Sequence, residues 1–95
     1  MPKGYWIAQV TITDPQPYQR YAEAAGHVFT KHGAVILARG GKAQQLEGEG
    51  RPRNVVIEFP SLEAAIACYH SAEYQAAKLH RQHAGEASVV LVEGV

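Results

Sequence analysis

Apolar positions in this chain switch period several times, and each switch marks an element. From Gly4 to Thr13 they alternate. Trp6, Ala8, Val10 and Ile12 fall on one side, while Tyr5, Ile7, Gln9 and Thr11 fall on the other. A period of two predicts a strand, and one apolar side opposite a half-apolar side predicts cover on both. Asp14-Pro15 then supplies an N-cap with proline just inside a helix. Tyr18, Tyr21, Ala22, Ala25, Val28 and Phe29 follow at spacings of three and four, the stripe of a helix lying on a sheet. Lys31 and His32 occupy its last turn, and Gly33 suits the position after the cap.

The second half repeats the scheme with more punctuation. Ala34–Ala38 predicts a strand that continues past a glycine bulge at Gly40-Gly41 through Gln44 and Leu46. Glu47 to Gly50 is a polar turn, and Pro52 opens a third strand over Asn54–Phe59. There Val55, Ile57 and Phe59 take one side, and Asn54, Val56 and Glu58 the other. Ser61 caps a helix carrying Leu62, Ala65, Ile66 and Tyr69, with Ala64 where a complete capping box would hold Glu. Ser71 caps a further helix through Tyr74, Ala77 and Lys78 towards Arg81, and Ala87–Glu93 is the last strand. The order β-α-β-β-α-(α)-β predicts an α+β, ferredoxin-like fold with a four-stranded antiparallel sheet. Right-handed crossovers place the helices on one face. The other face keeps Val, Ile and Tyr side chains uncovered, which predicts a homodimer packed face to face.

Composition tightens this picture. Ninety-five residues make one domain, 1–95, with a modest core, yet 46% of them are hydrophobic. Part of that apolar surface is therefore assigned to a partner subunit. Nine Lys and Arg balance nine Asp and Glu, which argues against a nucleic-acid partner. One cysteine, Cys68, allows no intrachain disulfide and no thiolate cluster. The leading MPKGYWIAQV does not read as a signal peptide, and no run approaches the ~18 apolar residues of a membrane span. A cytoplasmic protein that does not engage membranes is expected.

Among groups that carry chemistry, Arg39 stands out. It follows an apolar strand, lies beside two glycines, and offers a planar fork to a carboxylate or phosphate. Glu58 is its candidate partner, and a plain interface salt bridge is the competing reading. Tyr5 and Trp6 point to opposite sheet faces, so one of them is expected to look into the cavity of the dimer. Tyr18 and Tyr21 fall on the packing stripe and read as structural. His32 is a candidate acid or base, though its position suits C-capping better. His80 and His83 share an i, i+3 spacing but lack a third ligand, so no metal and no cofactor is expected. Cys68 reads as a small buried hydrophobe. GGKAQ and GEGRP lack the Lys-Ser/Thr ending of a phosphate loop.

The segments KGYWIAQVTITDP, YQRYAEAAGHVFTKHG, LARGGKAQQLEG, RPRNVVIEFPSLEAAIACYHSAEYQAAKLHR and VVLVEGV together resemble the domain of unknown function 1330. That family is a branch of the dimeric α+β barrel superfamily. The resemblance spans nearly the whole chain, with LARGG and VVIEFPS its most specific parts. It implies a ferredoxin-like subunit whose sheet pairs with a second subunit around a barrel-like cavity. Related branches include small monooxygenases, muconolactone isomerases and stress-responsive proteins, but the family has no established activity, and chemistry carried across the superfamily is analogy. One departure is Gly50-Arg51, where the resemblance leads one to expect an aromatic residue before Arg-Pro; a more open cavity mouth would follow. The expected function is a homodimer that binds or transforms a small anionic or aromatic organic molecule without a cofactor. Arg39 would anchor the anion, Glu58 would orient it, and aromatic residues would form the walls. The alternative is a non-catalytic structural or regulatory dimer, with Arg39 and Glu58 closed on each other and no room for a ligand.

Overall fold

A computed structural model describes residues 2–95. Its elements are β1 (Gly4–Ile12), α1 (Pro15–Lys31), β2 (Val35–Arg39), β3 (Arg53–Phe59), α2 (Leu62–His70), α3 (Ala72–Leu79) and β4 (Gly85–Glu93). The strands form one sheet in the order β2-β3-β1-β4, every neighbour antiparallel. The fold is α+β and ferredoxin-like, with the second helical segment split in two.

One expected element is absent. Beyond Arg39 the chain leaves the sheet, so residues through Gln44 and Leu46 do not extend β2. Gly40 adopts a positive φ of 69°, and its amide donates to the Asn54 carbonyl at 2.8 Å before the chain turns away. The irregularity in pairing lies between Ile36 and Ala38 instead of at the glycine pair. The glycines end the strand; they do not bulge it.

Helix ends follow local chemistry. Asp14 occupies the N-cap of α1 but its side chain makes no capping bond. Pro15 and Pro17 stand at the first and third helical positions, so the amide a cap usually binds at the third is missing. At the other end Ala34 N–H reaches the Phe29 carbonyl at 3.0 Å and Gly33 N–H reaches Thr30 at 3.1 Å. That pair is a Schellman motif, with Gly33 in the left-handed region it requires. Ser71 serves both α2 and α3. Its hydroxyl donates to the Cys68 carbonyl at 2.7 Å and accepts the Tyr74 amide at 3.1 Å, which breaks the helix and sets Tyr74 facing inward.

Trp6 is the centre of the interior. Its ring lies 5.0 Å from those of Phe29 and Tyr74, both edge-on, and 6.0 Å from Phe59 in a stacked arrangement. Such pairs add to the burial of large apolar area. Among the described residues no helix lies on the opposite face of the sheet. Val56, Ile7 and Val90 make a continuous row across three strands there. The next row towards the other end is polar, Asn54, Gln9 and Ser88, with Gln9 Nε2 donating to Asn54 Oδ1 at 3.0 Å. Among the described residues no helix is long and apolar enough to cross a membrane.

Candidate functional site

Between the sheet and helix α1 lies a cavity of about 60 Å³. It exists because small residues face each other where large ones would fill the layer. Ala8 on β1, Ala87 on β4, and Ala22, Ala25 and Gly26 on α1 leave the gap. A Cβ built at Gly26 would meet nothing within 4 Å. Trp6, Phe29 and Ile57 form the apolar inner part. Val10, Ile36, Val55 and Val89 extend that apolar part, and the polar part of the lining is of one kind: Tyr18, Tyr21, Arg39, Arg53 and Arg81, with no carboxylate.

Arg53 enters because it shares the inward phase of β3 with Val55, Ile57 and Phe59. Its guanidinium lies 5.5 Å from the centre of the Tyr18 ring. A Cβ on Gly40 would collide with Arg53 Nη1, so the glycine that ends β2 also makes room for this side chain. Arg53 Nε is buried and has no hydrogen-bond partner among the described residues. A buried donor left unpaired costs ~1–3 kcal/mol, more where the group is charged.

Arg81 comes from the turn after α3. Ala84 N–H closes that turn on the Arg81 carbonyl at 2.9 Å, and the Ala84 carbonyl accepts the amides of Thr13 at 2.8 Å and Asp14 at 3.1 Å. The turn is thereby fixed to the start of α1. Arg81 stacks 5.0 Å from the Tyr21 ring centre and its Nη2 donates to Tyr74 Oη at 3.4 Å. The Tyr74 and Tyr21 hydroxyls are 2.9 Å apart. Burial, and next the neighbouring Tyr74, push the Tyr21 hydroxyl far above its ordinary range, so it stays protonated. For Arg81, burial opposes the charge, but its bonds to the tyrosine hydroxyls outweigh that and the charge is retained.

Among the described residues the ion pairs are Lys31–Glu73 and Arg51–Glu86. Arg39, Arg53 and Arg81 have no acidic partner among them. Like charges gathered around an apolar slot repel, and a bound anion would offset that repulsion with charge-assisted hydrogen bonds.

The residues singled out from sequence divide between the two faces. Trp6 and Arg39 line the cavity, Arg39 as an exposed side chain at its edge. Glu58 lies opposite Tyr5 and Val35 in the strand register, in the alternate phase of β3, and so on the face away from the helices. Arg39 pairs in register with Val55, on the cavity side. The sheet therefore separates Arg39 from Glu58 and Tyr5. His32 Nδ1 bonds to the Val28 carbonyl at 3.0 Å, tied to the end of α1. Position 50 belongs to a surface groove beside Gln45 and Asn54, away from the sheet–helix cavity. Burial pushes the Cys68 thiol from 9.0 up to about 11, so it stays protonated.

Sequence reasoning passed over Arg53, Arg81 and Tyr74 and took Tyr18 and Tyr21 as packing alone. The signal for Arg53 was present: an arginine in the inward phase of an otherwise apolar strand. No comparable signal marks Arg81, because its place depends on how the turn after α3 docks.

The family model for the domain of unknown function DUF1330 matches residues 3–95, and the chain belongs to that family. Solved structures share its fold. A protein of unknown function from Rhodopseudomonas palustris superposes with a TM-score of 0.77 at 19% identity, covering 99% of this chain and 83% of that one. A candidate antibiotic biosynthesis monooxygenase from Caulobacter crescentus gives 0.61 at 13% identity, covering 99% and 91%. A dimeric protein of unknown function with a ferredoxin-like fold from Bacteroides fragilis gives 0.52 at 17% identity, covering 96% and 95%. No curated protein matches the sequence.

Proposed function

We propose that this DUF1330 protein binds a short organic anion in the cavity between its sheet and α1. The observation that carries this reading is the lining itself: three arginines without an acidic partner around an apolar slot. Arg53 and Arg81 hold the anionic group, Arg39 attracts it at the edge, and Trp6 and Phe29 contact the apolar body. Size favours the anion over the aromatic ring. An empty apolar cavity of ~150 Å³ is known to admit benzene, whereas this one has about 60 Å³. A short carboxylate fits where a fully enclosed ring does not. Glu58 and Tyr5, on the far face, take no part in this site.

A second copy of the chain covers the open sheet face in this reading. Its support is the apolar row Val56, Ile7 and Val90, with Val90 56% and Ile7 38% exposed in the single chain. The relative from Bacteroides fragilis is itself dimeric.

The test is calorimetric titration with butyrate and inorganic phosphate against wild type and Arg53→Met. Methionine keeps the apolar stem over Tyr18 and removes the fork. Affinity for butyrate should fall about tenfold or more in the variant. Equal affinity in the two proteins, or no binding by either, overturns the reading.

A further inference from the structure

The hydroxyl network beside Arg81 has a direction. Arginine only donates, so the 3.4 Å contact makes Tyr74 Oη an acceptor of Arg81. Tyr74 is fully buried and does not line the cavity. Among the described residues the one acceptor within reach of its proton is Tyr21 Oη, at 2.9 Å. Were Tyr21 to donate to Tyr74 instead, the Tyr74 proton would be buried without an acceptor, which is costly. The order is therefore Arg81 to Tyr74 to Tyr21. Tyr21, which does line the cavity, is left with its own O–H proton uncommitted. A donor at the end of a chain that begins on a cation is polarised and strengthened.

From this we infer that Tyr21 donates a hydrogen bond to a carbonyl oxygen of the ligand, and that the ligand is a short 2-oxo or 3-oxo acid. The inference rests on the anion-binding reading above and narrows its ligand class. A simple carboxylate occupies the arginines and leaves the Tyr21 proton unused. An oxo acid uses both. Arg81 Nη2 and Tyr21 Oη both reach the single Tyr74 oxygen, so the two donors are neighbours on the wall. That closeness suits a carbonyl next to, or one carbon removed from, the carboxylate. The volume of about 60 Å³ keeps the acid short. Because burial holds the Tyr21 hydroxyl protonated, it acts as a donor and not as a base.

The experiment compares ligands of equal chain length: 2-oxobutyrate and acetoacetate against butyrate, by calorimetry, on wild type, Tyr21→Phe and Tyr74→Phe. At least one oxo acid should bind wild type about tenfold more tightly than butyrate. Tyr21→Phe should erase that preference, read as the ratio of oxo-acid to butyrate affinity within each variant, so that any effect of the lost hydroxyl on Arg81 cancels. Tyr74→Phe should narrow the preference, because Tyr21 keeps its proton but loses the group that directs it. Circular dichroism and melting of both variants check that they fold. If butyrate binds through Arg53 but neither oxo acid is preferred, or if Tyr21→Phe keeps the preference, this inference is overturned and the anion site stands. If no acid binds wild type, the anion site falls, and this inference with it.

Discussion

Arg51 and Arg53 stand two residues apart and are treated differently by the two sides of the sheet. Arg51 Nη1 donates to Thr11 Oγ1 at 3.1 Å and to Glu86 Oε2 at 3.0 Å, on the side away from the helices. Arg53 turns to the covered side, stacks on Tyr18, and keeps a buried Nε without a partner. Thr11 and Glu86 are register partners, so the exposed side brings its acid to its arginine. The cavity on the covered side gathers three arginines and no acid. A protein optimising stability alone would pair such charges or replace them with apolar side chains. An unpaired cluster facing a cavity is better explained by a ligand that completes it.

The covered side can be broken most severely at Trp6. The indole is 1% exposed and touches Phe29, Phe59 and Tyr74. Trp6→Ala should cost about 3–5 kcal/mol, a large share of the ~5–15 kcal/mol typical of a whole domain. In a melting experiment that is a loss of about 15 °C or more. A fall below about 5 °C would mean that Trp6 is not the packing centre, and would weaken the case for a rigid cavity wall.

The open side is tested at Val90. It sits beside Ile7 in the apolar row, and lysine there would place a charge inside a face-to-face interface. Light scattering at tens of micromolar should give wild type twice the mass of one chain. Val90→Lys should weaken the self-association about a hundredfold and shift it to the single-chain mass. Butyrate binding should persist, since the cavity lies on the other side of the sheet. A wild type already at the single-chain mass would refute the dimer.

The contrast between these two sides explains what the sequence could reveal. Alternation along Gly4–Thr13 and Asn54–Phe59 sorted the residues onto two faces, because a period of two leaves little ambiguity. It put Trp6 and Tyr5 on opposite faces, and Ile57 and Val56 likewise, while which face of the first strand is the core waited on the helix packing. The same alternation places Arg53 inward, and an inward arginine is a site signal that a search for glycine-flanked cations overlooks. Arg39 was legible for that reason and Arg53 was not. The network of Tyr21, Tyr74 and Arg81 spans 60 residues of sequence and depends on helix packing and a four-residue turn. No local pattern encodes it. The strand predicted beyond Gly40-Gly41 failed because alternation around Gln44 and Leu46 is too short to outweigh a glycine in the left-handed region.

The smallest effect gives the sharpest comparison. Arg51→Ala removes a pair whose Glu86 side chain is 75% exposed, and such pairs are worth ~0–1 kcal/mol. Its urea midpoint should drop slightly. Arg53→Met removes a guanidinium with no acidic partner and keeps its apolar stem against Tyr18, so its midpoint in anion-poor buffer should hold or rise. Adding butyrate should then stabilise wild type and Arg51→Ala but not Arg53→Met, because only a native state that binds gains from mass action. The signs separate the two arginines even though each shift is small. If Arg53→Met lowers the midpoint more than Arg51→Ala does, Arg53 is holding the fold, and the unpaired cluster is a packing arrangement instead of a ligand site.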